Sequence, residues 1–181
     1  MVEFFTSVWA TFIGVVPEPY LVAAIAAFVT ALGGGLLTDI SPWYKALKMP
    51  SWKPPDWAFG PIWTVIFTLA VIAAGLAWEA CETRNQRITL LAVFGINAVL
   101  NAAWSYFYFI LKRPDWAFIE LILLWLSVLA IAVVSYQLVP KAGFLLIPYL
   151  VWVTIAGCLN WQTVRLNAPF EHPVKPYSEK L

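Results

Sequence analysis

The sequence predicts an all-α fold, a polytopic membrane protein built as a bundle of five transmembrane helices, and three observations predict it. Of 181 residues, 62% are hydrophobic and only 12% charged, with a mean hydropathy of +0.79. A water-soluble domain carries about 25% charged residues, so this chain lacks the polar side chains to cover a surface facing water. Five long stretches are almost free of charge, and short connectors rich in proline and charge separate them. Crossing the hydrocarbon layer takes about 20 apolar residues as a helix, because each backbone polar group must be satisfied within its own segment.

Residues 20–38, 57–78, 88–111 and 142–164 contain no Asp, Glu, Lys or Arg, and 116–139 contains only Glu120. The first connector is the longest; Pro42, Pro50, Pro54 and Pro55 keep it from continuing as helix, since proline lacks the backbone donor and clashes with the preceding turn. Short connectors make successive helices antiparallel neighbours, and no repeat or composition break divides the chain, so one domain spanning 1–181 with a short polar C-terminal tail is expected. The start has no Lys or Arg before Lys45 and so lacks the basic flank of a secretory signal; residues 1–18 read as a retained, interfacial lead into the first span. Counting Lys and Arg in loops and tail places eight on the side of the first loop and the C-terminus and three on the other. The positive-inside rule then sets the C-terminus in the cytoplasm and the N-terminus outside.

Function classes fall away on composition. A net charge of +1 gives no field for nucleic acid. Cys81 and Cys158 are far apart without Cys or His companions, so they read as small hydrophobes and not as metal ligands. The sole histidine, His172, lies in the tail; no haem ligand, metal site or histidine base is expected within the spans. Gly33-Gly34-Gly35 lacks the Lys-Ser/Thr of a phosphate-binding loop. No metal and no required cofactor are expected.

What remains is aromatic surface. Among eleven tryptophans, Trp57, Trp78 and Trp116 lie at span ends and Trp9 and Trp43 outside the spans, where an indole sits at headgroup depth. Trp63, Trp104 and Trp152 fall within spans. Helical spacing joins Trp63, Phe67, Ala74 and Trp78 on one face, Asn97, Asn101, Trp104 and Ser105 on a second, and Tyr149, Trp152, Ala156 and Asn160 on a third. Buried amides need partners, so Asn97, Asn101 and Asn160 should face the bundle interior. They act either as glue between helices or as the polar points of an aromatic-lined small-molecule cavity. Glu120, one turn inside Trp116, either serves function or pairs with Lys112 or Arg113 near the interface. Ala23, Ala27, Ala31 and Gly35 recur at every fourth position of the first span, the pattern of close helix packing, either within the bundle or across a homodimer.

The segment from Trp43 to Thr64, with Leu100-Asn101-Ala102-Ala103-Trp104-Ser105, Leu146 to Trp152, Leu159-Asn160 and Arg165-Leu166-Asn167, resembles the signature of the tryptophan-rich sensory protein and translocator protein family. The resemblance covers about residues 20–167 and implies five transmembrane helices. It further implies a pocket beneath the first loop for porphyrins such as protoporphyrin IX, sterols or other hydrophobic small molecules, serving transport, sensing or stress regulation. Carried over by position, Tyr44, Trp63, Phe67, Asn101, Trp104, Trp152 and Ala156 line it. Trp63 and Trp152 would be the catalytic tryptophans if the protein is instead a light-dependent porphyrin-degrading enzyme; a structural membrane partner without turnover is the third reading. A bacterial cell membrane is expected in preference to an organellar one. Three positions depart from the pattern: Asn97 for Gln, Glu120 for Asp, and Trp161 for the Tyr of sterol-binding relatives. The last removes the aromatic of the proposed sterol motif. Val134-Ser135-Tyr136 with Lys141 fits that loose motif by spacing, but such patterns occur readily by chance.

Overall fold

The structure, a computed structural model, describes residues 18–170; the expectations for residues 1–17, Trp9, His172 and the end of the tail lie outside the described residues. The helices are α1 (Glu18–Leu37), α2 (Pro42–Ala46), α3 (Asp56–Glu79), α4 (Arg84–Ser105), α5 (Pro114–Leu138), α6 (Pro140–Leu145) and α7 (Ile147–Asn167), with a π-helical turn (Tyr106–Ile110) continuing α4. Among the described residues, five spans are long and apolar enough to cross a membrane: α1, α3, α4 with its π-helical turn, α5, and α6 with α7. Among the described residues there is no strand. The protein is therefore a multi-pass, all-helical membrane protein.

The spans begin and end close to the apolar runs, and the differences have local causes. The third starts at Arg84 and not at residue 88, because Thr83 and Gln86 form a reciprocal capping box that satisfies the first backbone donors. The fifth starts at Pro140 and breaks at Leu146, two residues ahead of Pro148, so it is two helical pieces, α6 and α7. The third span ends on the π-helical turn, and Lys112, with φ of 54°, reverses the chain into Pro114 at the head of α5.

Around the bundle α1 packs on α3 and α4, α4 on α5, α5 on α6 and α7, and α6 returns to α3. Helix α5 carries the core: Leu121, Leu124, Val128 and Ile131 are buried against Ile66, Ala70 and Ala73 of α3 and Tyr149, Trp152 and Val153 of α7. Leu123, Leu126 and Val133 on its other side are exposed, as a lipid-facing surface requires. Helix α1 buries none of its residues. Its Ala27, Ala31 and Gly35 border a cavity, so at this end the small-residue stripe leaves volume where close packing was expected.

Of the alternatives open for Glu120, the pairing with Lys112 or Arg113 is not made. Its side chain is buried at 6% exposure with both carboxylate oxygens lacking a partner. Arg113 binds Asp115 instead, because the tight turn at Lys112 sets Arg113 beside the first turn of α5.

Candidate functional site

Between α1, α3, α4 and α7, under the first connector, lies a cavity of about 840 Å³. Tyr44, Trp63, Phe67, Asn101, Trp104, Trp152 and Ala156 all line it. Of the three faces read from helical spacing, Ala74, Trp78, Asn97 and Tyr149 do not line this one space, whereas Trp63 and Phe67, then Asn101, Trp104 and Ser105, then Trp152, Ala156 and Asn160 border it. Phe59, missed from the sequence, joins them, its ring edge-on to Trp152 at 5.5 Å.

On the α3 side, Trp63 and Phe67 stack at 5.3 Å with 26° between planes, and Trp63 meets the edge of Tyr149 at 5.8 Å. Such aromatic pairs add about 0.5–1.5 kcal/mol beyond area burial and hold the indole in place, leaving a flat wall of fixed orientation.

Below this wall the asparagines are held by one another's partners. The Asn101 Nδ2 donates to the Tyr149 hydroxyl at 2.9 Å, that hydroxyl donates to Asn97 Oδ1 at 3.2 Å, and Asn97 Nδ2 donates to Ser127 Oγ at 2.9 Å. On the other flank Trp104 Nε1 donates to Asn160 Oδ1 at 3.1 Å, while Asn160 Nδ2 donates to the Pro114 carbonyl at 2.8 Å. These bonds tie α4, α5 and α7 together and satisfy buried amides that are costly when left alone. Both readings of the asparagines therefore coexist: Asn101 and Asn160 are glue between helices and also line the cavity.

At the connector end the site is polar. Tyr44, on α2, donates to Asp56 Oδ1 at 3.1 Å; Lys53 binds the same carboxylate and lies 5.6 Å from the centre of the Tyr44 ring. Burial, and then the Asp56 charge, push the Tyr44 phenol well above its ordinary value, so it remains a hydrogen-bond donor at physiological pH. Lys53 and Asp56 both border the cavity.

The connector folds back over α7. Asn167 bonds both backbone groups of Lys48, Trp52 Nε1 donates to Gln162 Oε1 at 2.7 Å, and Thr163 donates to Met49 Sδ at 3.6 Å. These positions are more than 100 apart in sequence, so no helical periodicity signals the contact. Tyr108 and Phe109, also missed, come inward because the π-helical turn inserts an extra residue and rotates the aromatic run Tyr106–Ile110 off the α-helical register.

The sequence matches the model of the TspO/MBR family over residues 21–166. It is 37% identical over 155 residues to Protein CrtK of Rhodobacter capsulatus, covering 86% of this chain and 94% of that protein. To the Tryptophan-rich sensory protein of Cereibacter sphaeroides it is 34% identical over 149 residues, 80% of this chain and 92% of the other. To the Translocator protein of Sus scrofa it is 33% identical over 155 residues, 82% of this chain and 92% of that one.

Proposed function

We propose, since this chain belongs to the TspO/MBR family of multi-pass membrane proteins, that its cavity receives a tetrapyrrole of the protoporphyrin IX kind and serves its transport or sensing. The observation that carries this reading is the convergence of seven cavity-lining residues from α2, α3, α4 and α7 on one space of about 840 Å³, within the usual range for a small-molecule site. A flat macrocycle suits the stacked Trp63–Phe67 wall. Its carboxylates suit the connector end, where Lys53 borders the cavity and Lys45 and Lys48 are exposed nearby in sequence. Names given to relatives, translocator and tryptophan-rich sensory protein, agree with a carrier or sensor and do not separate the two.

Light-dependent porphyrin breakdown is the second reading, favoured by Trp63 and Trp152 lining the same space. Titration of the purified protein with protoporphyrin IX, in the dark and in light, tests both: saturable quenching of tryptophan fluorescence supports binding, and loss of porphyrin absorbance only in light supports chemistry. A sterol is the less suited ligand, because Trp161 replaces the expected tyrosine and its exposed ring packs on Arg165 at 5.0 Å.

The bacterial relatives support a bacterial cell membrane. Charge bias in the loops supports an outside N-terminus and a cytoplasmic connector and C-terminus. Reagents that do not cross the membrane should then label a tag before Met1 and spare one after Leu181; the reverse pattern overturns the orientation.

A further inference from the structure

The cavity has a second boundary besides the connector, on the side of α1. Tyr20 at one end of α1 meets α3: a Cβ placed on Gly75 would stand 2.3 Å from its ring, and its hydroxyl donates to Glu79 at 3.1 Å. At the other end α1 has crossed to α4, where a Cβ on Gly34 would lie 3.7 Å from Ser105 Oγ and 3.9 Å from Asn101 Oδ1. The helix is thus a diagonal strut, fixed to α3 at its start and to α4 at its end. Away from the Tyr20–Gly75 contact, residues on the sides of α1 and α3 that face each other border the cavity and stay exposed, which leaves a gap between the two helices.

The faces bordering that gap are recognisable. Gly75 belongs to the stripe Gly60, Thr64, Thr68 and Val71 of α3 by helical spacing, so the stripe points at α1, whereas Phe59 and Trp63 on the adjoining stripe point at α7. Antiparallel helices rising about 1.5 Å per residue, with Tyr20 opposite Gly75, set Phe28 near the level of Phe67 and Ala31 near Thr64. Thr64, Thr68, Phe28 and Ala31 all border the cavity and all are exposed, Phe28 at 67%. Tightly packed facing helices would have buried them.

The chemistry of this gap is that of hydrocarbon. Thr38, Thr64 and Thr68 turn their hydroxyls onto their own helix, donating to the Gly34, Gly60 and Thr64 carbonyls at 2.8, 2.9 and 2.8 Å, which leaves their methyl groups for the gap. Because α1 buries none of its residues, one side of it faces lipid and the other the cavity, with a single helix between.

We propose that the gap between α1 and α3 is a side portal through which the cavity communicates with the hydrocarbon layer, and that an acyl chain of the bilayer occupies it when no other ligand does. The proposal rests on the membrane-spanning fold and not on the porphyrin reading. Hydrophobic occupants therefore reach the cavity from within the bilayer, while the connector stays clasped to α7.

The test uses the full chain in vesicles of phosphatidylcholine brominated midway along one acyl chain, bromine quenching indoles that it touches. The fluorescence of Trp63 is read as the difference between the parent and Trp63→Phe. Expected is loss of most of the Trp63 signal relative to unbrominated vesicles, and its recovery when the double variant Ala31→Phe, Thr68→Phe fills the gap. Thr68→Phe alone serves if the double variant does not fold. An unquenched Trp63 in the parent overturns the portal. Equal quenching in parent and plugged variants overturns it too, because the bromine then reaches Trp63 from another side. Porphyrin titration is separate from this readout, so failure of one reading leaves the other standing.

Discussion

Asn167 clasps the backbone of Lys48 from 119 positions away, accepting from its N–H at 2.9 Å through Oδ1 and donating to its carbonyl at 2.9 Å through Nδ2. The amide is matched in both directions, so only a side chain with one donor and one acceptor completes it. Loss of the clasp frees the connector over the cavity.

Asn167→Asp keeps the size, removes the donor and faces a carboxylate oxygen toward the Lys48 carbonyl. Amides around Lys48 should then exchange faster with deuterium, and bound ligand should leave faster. Lys48→Ala, which leaves the backbone untouched, should not change the amide exchange; equally fast exchange in both variants would mean that the lysine charge holds the connector.

Tyr149→Phe deletes the hydroxyl that links Asn101 to Asn97 and takes the partner from the buried Asn101 Nδ2 and Asn97 Oδ1, while the bond from Asn97 Nδ2 to Ser127 stays. An unsatisfied buried polar group costs about 1–3 kcal/mol, so the thermal unfolding midpoint in detergent should fall clearly. An unchanged midpoint would mean that the amides find other partners.

Two glycines separate side-chain from backbone crowding. The three atoms nearest a Cβ on Gly75 all belong to the Tyr20 ring, whereas on Gly143 it meets Tyr136 Cβ at 2.5 Å, the Ala132 carbonyl oxygen at 2.9 Å and Tyr136 Cα at 2.9 Å. A ring can swing away; a backbone cannot. Overpacking costs about 1–3 kcal/mol, so Gly143→Ala should destabilise more than Gly75→Ala. The opposite order in thermal denaturation would refute the close α5–α6 contact.

Glu120 is buried with no partner for either carboxylate oxygen. Glu120→Gln removes the ionisable group and keeps the shape, and with no ion pair to lose the variant should unfold at the same or a higher temperature. A marked fall would reveal an ionic partner.

The parts legible in the sequence are those encoded locally. Runs such as 20–38 and 57–78 announce spans because lipid tolerates few charges, and the spacing of Trp63 and Phe67, or of Trp152 and Ala156, fixes which side chains share a helix face. The capping box at Thr83 escaped because Arg84 to Arg87 is polar and hydropathy does not see a cap. Helix rotation, which buries Glu120 away from Arg113, and the register change at Tyr106–Ile110 depend on neighbouring helices and a tight turn. The clasp of Lys48 by Asn167 depends on the completed bundle.

The central claim, that the space between α3, α4 and α7 is the binding site, is tested most directly by the affinity of Trp63→Ala and Trp152→Ala for protoporphyrin IX in the dark, with Trp152→Phe beside them. Losing most of an aromatic contact worth about 0.5–1.5 kcal/mol weakens binding about threefold to tenfold. Both alanine variants should show that loss, while Trp152→Phe, which keeps a ring, retains most of the parent affinity. Parent-like affinity in both alanine variants would contradict the account and put the porphyrin site elsewhere on the protein.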